Sequence, residues 1–216
     1  MPTALLFGAT GLVGGELVKL LATDGRWDRV VTPARRPVPR VGPRHEPVVV
    51  DFDDLAAHAG AMACDDVFLS LGTTIRDAGS EAAFRHVDYD LTLAAARAAR
   101  DAGARRCLLV SSIGADAGSR FFYLRVKGEV EQAVTDLGFE SVSVFRPGQL
   151  AGRRAVRRPG EVVALAAMAL ARPALVGPLR RYRPTNATVL ARAMVATARR
   201  ADPGRRLLEA EEIAGY

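Results

Sequence analysis

Residues 7–15 read FGATGLVGG, set between the apolar run ALL and the amphipathic run ELVKLLATDG. Gly8, Gly11 and Gly14 fall three apart, so the spacing is G-x-x-G-x-x-G. An apolar run too short for a helix ends in a glycine turn, and a helix pattern starts at once, near Gly11. Glycine there lets the backbone come close to something bulky. The helix that follows presents unpaired N–H groups and the positive end of its dipole. Those are the parts of a phosphate-binding site.

The same alternation continues down the chain. TALLFGA (3–9), RVVTPA (29–34), EPVVVDF (46–52), DDVFLSLGTT (65–74), RRCLLVSSIG (105–114) and SVSVFRPG (141–148) read as six strands. Helices are expected over 11–25, 81–103 and 121–138, each closed by a glycine, with a shorter one over 53–62 that starts near Asp53 or Asp54. Strands apolar on both faces, each followed by a helix, predict a parallel sheet covered on both sides. The fold class is α/β: a doubly wound Rossmann sheet with strand order 3-2-1-4-5-6. After residue 148 the pattern loosens into a basic loop (152–160), helices near 160–172 and 186–200, and a last short strand RLLEA (206–210). The expected organisation is one domain over 1–216, with a core over 1–150 and a small substrate-side capping part over 151–216.

Composition narrows the function classes. The 216 residues are 49% hydrophobic, enough for a sizeable core and against disorder. The net charge of +6 comes from 30 basic residues, nearly all arginines scattered over helices and loops, so nucleic acid is not the expected partner. The longest apolar run, VVALAAMALA (162–171), is too short to span a bilayer. No basic segment precedes an apolar one at the start, and a cytoplasmic protein is the default expectation. Cys64 and Cys107 lie in apolar strand-like runs and read as buried thiols rather than a disulfide. No metal-ligand spacing is present, and His45, His58 and His86 read as structural; His86 has Asp88 nearby on the long helix.

Strand before, helix after and further strands downstream make the glycine motif a dinucleotide site. Gly8, Thr10, Gly11, Leu12, Val13 and Gly14 form its expected cradle. An NAD site usually carries an acid at the end of the second strand, on the adenosine ribose. Here that strand ends TPARRP, with Arg35 and Arg36 in the acid's place and Asp28 at the wrong end. Guanidinium forks suit a 2′-phosphate, so NADP(H) is expected over NAD(H). Asp51 either accepts from the adenine amino group or caps the next helix. Leu71, Gly72 and Thr73 end the fourth strand, where the cofactor would cross.

A second motif is Tyr123-Leu-Arg-Val-Lys127. At i and i+4 on a helix, the phenol and the ammonium share a face. A lysine beside a tyrosine favours proton exchange by the phenol. Ser111 and Ser112 end the fifth strand, on the same carboxyl edge, where a hydroxyl can reach a substrate oxygen.

GATGLVG, SSIGAD, YLRVK and VFRPG resemble the short-chain dehydrogenase/reductase superfamily, and DFDDL, LGTT, FRHVDYD, FFYLRVKGEVE and FRPGQL, in this order, resemble the pattern of one branch of it. More narrowly, the chain resembles its atypical branch, the Tat-interacting-protein-type NAD(P)-binding oxidoreductases. The resemblance implies that Tyr123 is the general acid/base, that Lys127 binds the nicotinamide ribose and tunes Tyr123, and that Ser112 polarises a substrate carbonyl. It also implies that Leu150 and Arg158 help close over the cofactor. Many extended members of the superfamily carry the catalytic serine or threonine one place further along, where this chain has Ile113.

Two functions follow. One is an NADPH-dependent oxidoreductase that delivers hydride to a small carbonyl compound; Arg153, Arg154, Arg157 and Arg158 either point to an anionic substrate or face the cofactor phosphates. The other is a non-catalytic NADP(H)-binding regulator or assembly factor acting on a protein partner, since a fold does not by itself set a function.

Overall fold

The computed structural model describes residues 1–151 and 184–216. Seven strands form one parallel sheet: β1 (Thr3–Phe7), β2 (Arg29–Ala34), β3 (His45–Val49), β4 (Asp66–Leu69), β5 (Arg106–Val110), β6 (Ser141–Arg146) and β9 (Gly204–Glu209). Their spatial order is β3-β2-β1-β4-β5-β6-β9. The first six strands stand in the order expected from the alternation of strands and helices.

Period-two alternation feeds both faces of the sheet. On β1, Ala4 and Leu6 enter one core, and Leu5 and Phe7 enter the other. The first core packs α1 (Leu12–Thr23) and α6 (Ala187–Arg200) on the sheet, through Leu17, Leu21, Leu190 and Met194. The second packs α4 (Thr92–Asp101) and α5 (Phe122–Thr135), through Ala95, Ala99, Val130 and Val134. Each fully buried Leu or Phe in these layers contributes about 1.5–3 kcal/mol. Cys64 and Cys107 are buried free thiols in the second core's neighbourhood, and burial pushes Cys64 up to about 12.

The tail does more than cap. Helix α6 fills one face of the sheet, and β9 pairs with β6 from Ser141↔Gly204 to Arg146↔Glu209. The short apolar run of β9 was legible as a strand, but its place in the main sheet was not. A two-stranded ladder, β7 (Leu150–Ala151) with β8 (Thr185–Asn186), ties the exit of β6 to the start of α6. The expected helix over 160–172 and the basic loop over 152–160 lie outside the described residues.

Two local differences matter for the site. The short helix after β3 is a 3-10 turn, Leu55–Met62, and Asp54 caps it by accepting from the Ala57 N–H. The long helix expected over 81–103 comprises α3 (Glu81–Arg85), a π-helical segment (His86–Leu91) and α4. It follows a short α2 (Ile75–Ala78). Such π insertions concentrate at functional sites.

Candidate functional site

The glycine motif is dictated by contact distances. Gly8 has φ +88°, a left-handed conformation that favours glycine, and a Cβ there would overlap the Ser70 backbone of the neighbouring strand end. A Cβ on Gly14 would overlap the Gly8 carbonyl oxygen, so α1 can lie against the turn only without a side chain at that position. Gly11 is the N-cap of α1, and no side chain caps it. The first N–H groups of a twelve-residue helix are therefore left for a ligand. A tight backbone turn that tolerates no side chain at Gly8 or Gly14, set at an uncapped helix start, fits a dinucleotide pyrophosphate.

This cradle opens into a cleft of about 820 Å³ at the carboxyl edge of the sheet. Thr10, Gly11, Leu12 and Val13 form one side, and Leu71, Gly72 and Thr73 pass beneath. Ser111, Ser112, Tyr123 and Lys127 form the other side, and Leu150 lies at the exit of β6. The structure thus brings most of the expected residues to one cavity. Gly8 and Gly14 stand behind its wall and shape it.

Besides these two glycines, three expected residues among the described ones, Arg35, Arg36 and Asp51, do not line the cleft. Arg35 and Arg36 are exposed at the end of β2, without an ion pair among the described residues. Asp51 is exposed, and its Oδ1 accepts from the Asp53 N–H at 2.9 Å, a turn rather than a helix cap. Arg158 lies outside the described residues, as do Arg153, Arg154 and Arg157.

Helix α5 delivers the phenol and the amine. Tyr123 packs its ring on Phe84 at 5.3 Å between centroids. Gly128 follows Lys127, and a Cβ there would overlap the Asp116–Ala117 backbone. That close approach, with the Asp116 N–H donating to the Leu124 carbonyl at 3.1 Å, seats the loop after β5 on α5. Ser111 and Ser112 are thereby distinguished. Ser111 donates its hydroxyl to Glu131 Oε1 at 2.5 Å, whereas Ser112 makes only a 3.5 Å contact with the Ile113 carbonyl. Of the two hydroxyls, that of Ser112 is available to a ligand.

Lys127 is buried, and its Nζ lies 2.6 Å from Asp88 Oδ1. Burial pushes the ammonium's pKa down, but Asp88, Tyr123 and Glu131 more than offset this, and the net shift is upward. Lys127 therefore carries its charge throughout the physiological range. Asp88 sits on the π segment, and its Oδ2 accepts from the Thr73 N–H at 2.9 Å. His86, by contrast, is half exposed and faces Asp90 at 3.6 Å, so Asp88 is not its partner.

Asp88 and Glu131 are the charged residues that the motifs alone did not single out. Both carried a signal. Asp88 occupies the apolar stripe with Phe84, Thr92 and Ala95, where an acid is out of place unless paired. Glu131 continues the i, i+4 series of Tyr123 and Lys127. It is 1% exposed and held by Arg146 Nη2 at 2.6 Å, with Ser111 on its other oxygen.

A doubly wound sheet with an uncapped glycine cradle and a cleft across its carboxyl edge defines a dinucleotide-binding protein of the Rossmann class. Residues 8–160 match the family described as NAD(P)H-binding, and the chain belongs to that family. It is 38% identical to "Protein fmp52, mitochondrial" of Emericella nidulans, over 76% of this chain and 73% of that protein. It is 40% identical to "Protein HTATIP2" of Rattus norvegicus, over 75% of this chain and 68% of that protein. These relatives place it in the atypical short-chain dehydrogenase/reductase branch that the motifs resemble. Among solved structures, MoeE5 in complex with UDP-glucose and NAD superposes with a TM-score of 0.72 at 19% identity, covering 99% of this chain and 80% of that one. Carveol dehydrogenase from Mycobacterium avium in complex with NAD superposes with a TM-score of 0.65 at 16% identity, covering 99% and 98%. Both likenesses concern the fold.

The cytoplasmic expectation is overturned by these relatives. The fungal proteins are named as mitochondrial, and a default drawn from a missing leader pattern has no force against them.

Proposed function

We propose that the protein is an NADPH-dependent oxidoreductase that reduces a small carbonyl compound. The observation that carries this reading is the single cleft shared by the glycine cradle, Ser112, Tyr123 and Lys127. The bound reduced dinucleotide would supply a hydride. Tyr123 donates its phenolic proton to the substrate oxygen, and Ser112 holds that oxygen through its unengaged hydroxyl. Lys127, fixed by its burial and by Asp88, binds the nicotinamide ribose beside Tyr123. Arg35 and Arg36 supply the preference for NADPH, because two exposed guanidinium groups at the end of β2 suit a phosphate better than a hydroxyl.

Tyr123→Phe keeps the ring packed on Phe84 and removes the proton. NADPH oxidation against a panel of aldehydes, ketones and quinones should fall by about 10²–10⁴, with cofactor affinity nearly unchanged. Turnover that survives the substitution removes this chemistry. Absence of turnover in the unmodified protein, together with NADPH-dependent binding to a protein partner, would favour the regulator reading instead. Replacing Arg35 and Arg36 with Ala should weaken NADPH by a few kcal/mol and NADH little, about the scale of lost charge-assisted contacts. Equal losses for both cofactors in a binding titration would sink the assignment.

A further inference from the structure

Glu131 is a buried carboxylate behind the cleft wall, and the reaction proposed above gives it no task. It stands one turn beyond Lys127 on α5, so Tyr123, Lys127 and Glu131 share a helix face. Its Oε1 accepts from the Ser111 hydroxyl at 2.5 Å and from Arg146 Nε at 2.9 Å. Its Oε2 accepts from Arg146 Nη2 at 2.6 Å. A guanidinium that meets a carboxylate through two parallel N–H groups is fixed in angle as well as in distance. Arg146 Nη1 also donates to Glu209 Oε1 at 3.3 Å, and Arg205 Nη2 lies 3.7 Å from Glu131 Oε2. One carboxylate on α5 therefore ties in side chains from the exit of β5, the end of β6 and β9.

The exits of β5 and β6 carry the far wall of the cleft. The Ser111 N–H donates to the Phe145 carbonyl at 2.7 Å, and the Ile113 N–H donates to the Pro147 carbonyl at 3.0 Å. Ser112 is thus held between two ties to the exit of β6. Pro147 and Gly148 follow Arg146 directly and line the cleft with Ser112, Tyr123 and Lys127. The glycine cradle at the start of α1 lies on the opposite wall.

We propose that Glu131 is a positioning residue for the nicotinamide half of the dinucleotide, because it sets the spacing of the two strand exits that form the far wall. The proposal rests on the reading that puts the pyrophosphate at the cradle and the nicotinamide ribose on Lys127. In that pose the nicotinamide half meets this wall and the adenosine half does not. Ser111 serves the wall rather than the ligand: a hydroxyl has one proton, and Glu131 takes it. Stability alone is a poor account of the pair. Apolar groups of similar volume often stabilise a buried position as well as an ion pair does, so what Glu131 and Arg146 add here is a fixed geometry.

The test compares two ligands by calorimetry. One is NADPH, and the other is adenosine 2′,5′-bisphosphate, which keeps the adenosine half and lacks the nicotinamide and its ribose. The readout is the ratio of the two dissociation constants, because an unpaired Arg146 attracts both anions and a loosened fold weakens both. In Glu131→Gln the preference for NADPH over the bisphosphate should fall about tenfold, the scale of one lost hydrogen bond. That variant leaves Arg146 without its buried partner and can unfold. Glu131→Leu with Arg146→Met puts apolar groups in place of the pair and should show the same fall. An unchanged ratio in the folded double variant overturns the proposal, since packing alone would then set the wall. Lys127→Met with Asp88→Asn tests the underlying reading separately. If it lowers the ratio while the Glu131 variants do not, only the role of Glu131 falls. If none of the variants changes the ratio, the nicotinamide half lies elsewhere and both fall. The same comparison of NADH with ADP frees the outcome from any preference for a 2′-phosphate.

Discussion

Two fully buried aspartates stand at opposite edges of the sheet, Asp66 at the amino ends of the strands and Asp88 at the carboxyl ends. Asp66 is saturated. Its Oδ2 accepts from Trp27 Nε1 at 2.7 Å and from Arg106 Nη2 at 2.9 Å, and its Oδ1 pairs with Arg106 Nε. Asp88 has one hydrogen bond, from the Thr73 N–H, and one ion pair, to an amine that borders an open cleft. The contrast separates a carboxylate that closes a structure from one that leaves its partner in place for a ligand. A buried charge with every lone pair engaged stabilises by being satisfied. A buried charge with spare capacity beside a cavity is a candidate for chemistry.

The largest expected effect that could break this contrast is at the amino edge. Asp66→Ala leaves Arg106 and Trp27 without their buried partner and should cost about 3–5 kcal/mol in urea unfolding. NADPH affinity of the folded protein should stay unchanged. A parallel loss of affinity would mean that the two edges are not independent.

Gly14→Ala probes the carboxyl edge. The added methyl overlaps the Gly8 carbonyl, so the start of α1 must shift away from the turn. Stability should fall by about 1–3 kcal/mol. NADPH binding, read by calorimetry, should weaken about tenfold or more. Binding that survives while stability drops would put the cradle's geometry outside the cofactor site.

The smallest effect is a difference in pH response. His45 starts β3, and its Nδ1 accepts from the Val41 N–H at 3.0 Å, so Nε2–H faces Thr32 Oγ1 at 2.8 Å. Burial, with help from Arg40, holds its pKa below the ordinary 6.5. The unfolded chain then takes up a proton that the folded one refuses. His45's contribution is present above 6.5 and is lost as pH falls below it. Lys127 has the opposite sign. Its raised pKa contributes stability below 10.5, lost as pH rises through the folded value. Unfolding curves across pH should show a mild-acid loss that disappears in His45→Gln and an alkaline loss that does not. An acid limb unchanged by His45→Gln would remove His45 as its source.

The parts of the molecule legible in the sequence are those set by local spacing. Alternation between short apolar runs and amphipathic runs dictates a parallel sheet, because each strand must be covered on both faces. The triplet Gly8, Gly11, Gly14 reports its own turn, since only backbone can pass there. Tyr123 and Lys127 share a face through helix periodicity alone. What the tertiary structure decided is which distant groups meet. Asp88 and Lys127 are joined only because the π segment and α5 pack side by side, and no spacing rule links two helices so far apart in the chain. Ser111 and Ser112 look alike in sequence and part company only when Glu131 takes one hydroxyl. The run at 204–209 reads as a strand by itself, but its neighbour is set by β6, whose free edge had unpaired N–H and C=O groups to satisfy. Local periodicity depends on a few consecutive residues, whereas charge pairing and strand order depend on burial, and burial exists only once the chain has folded.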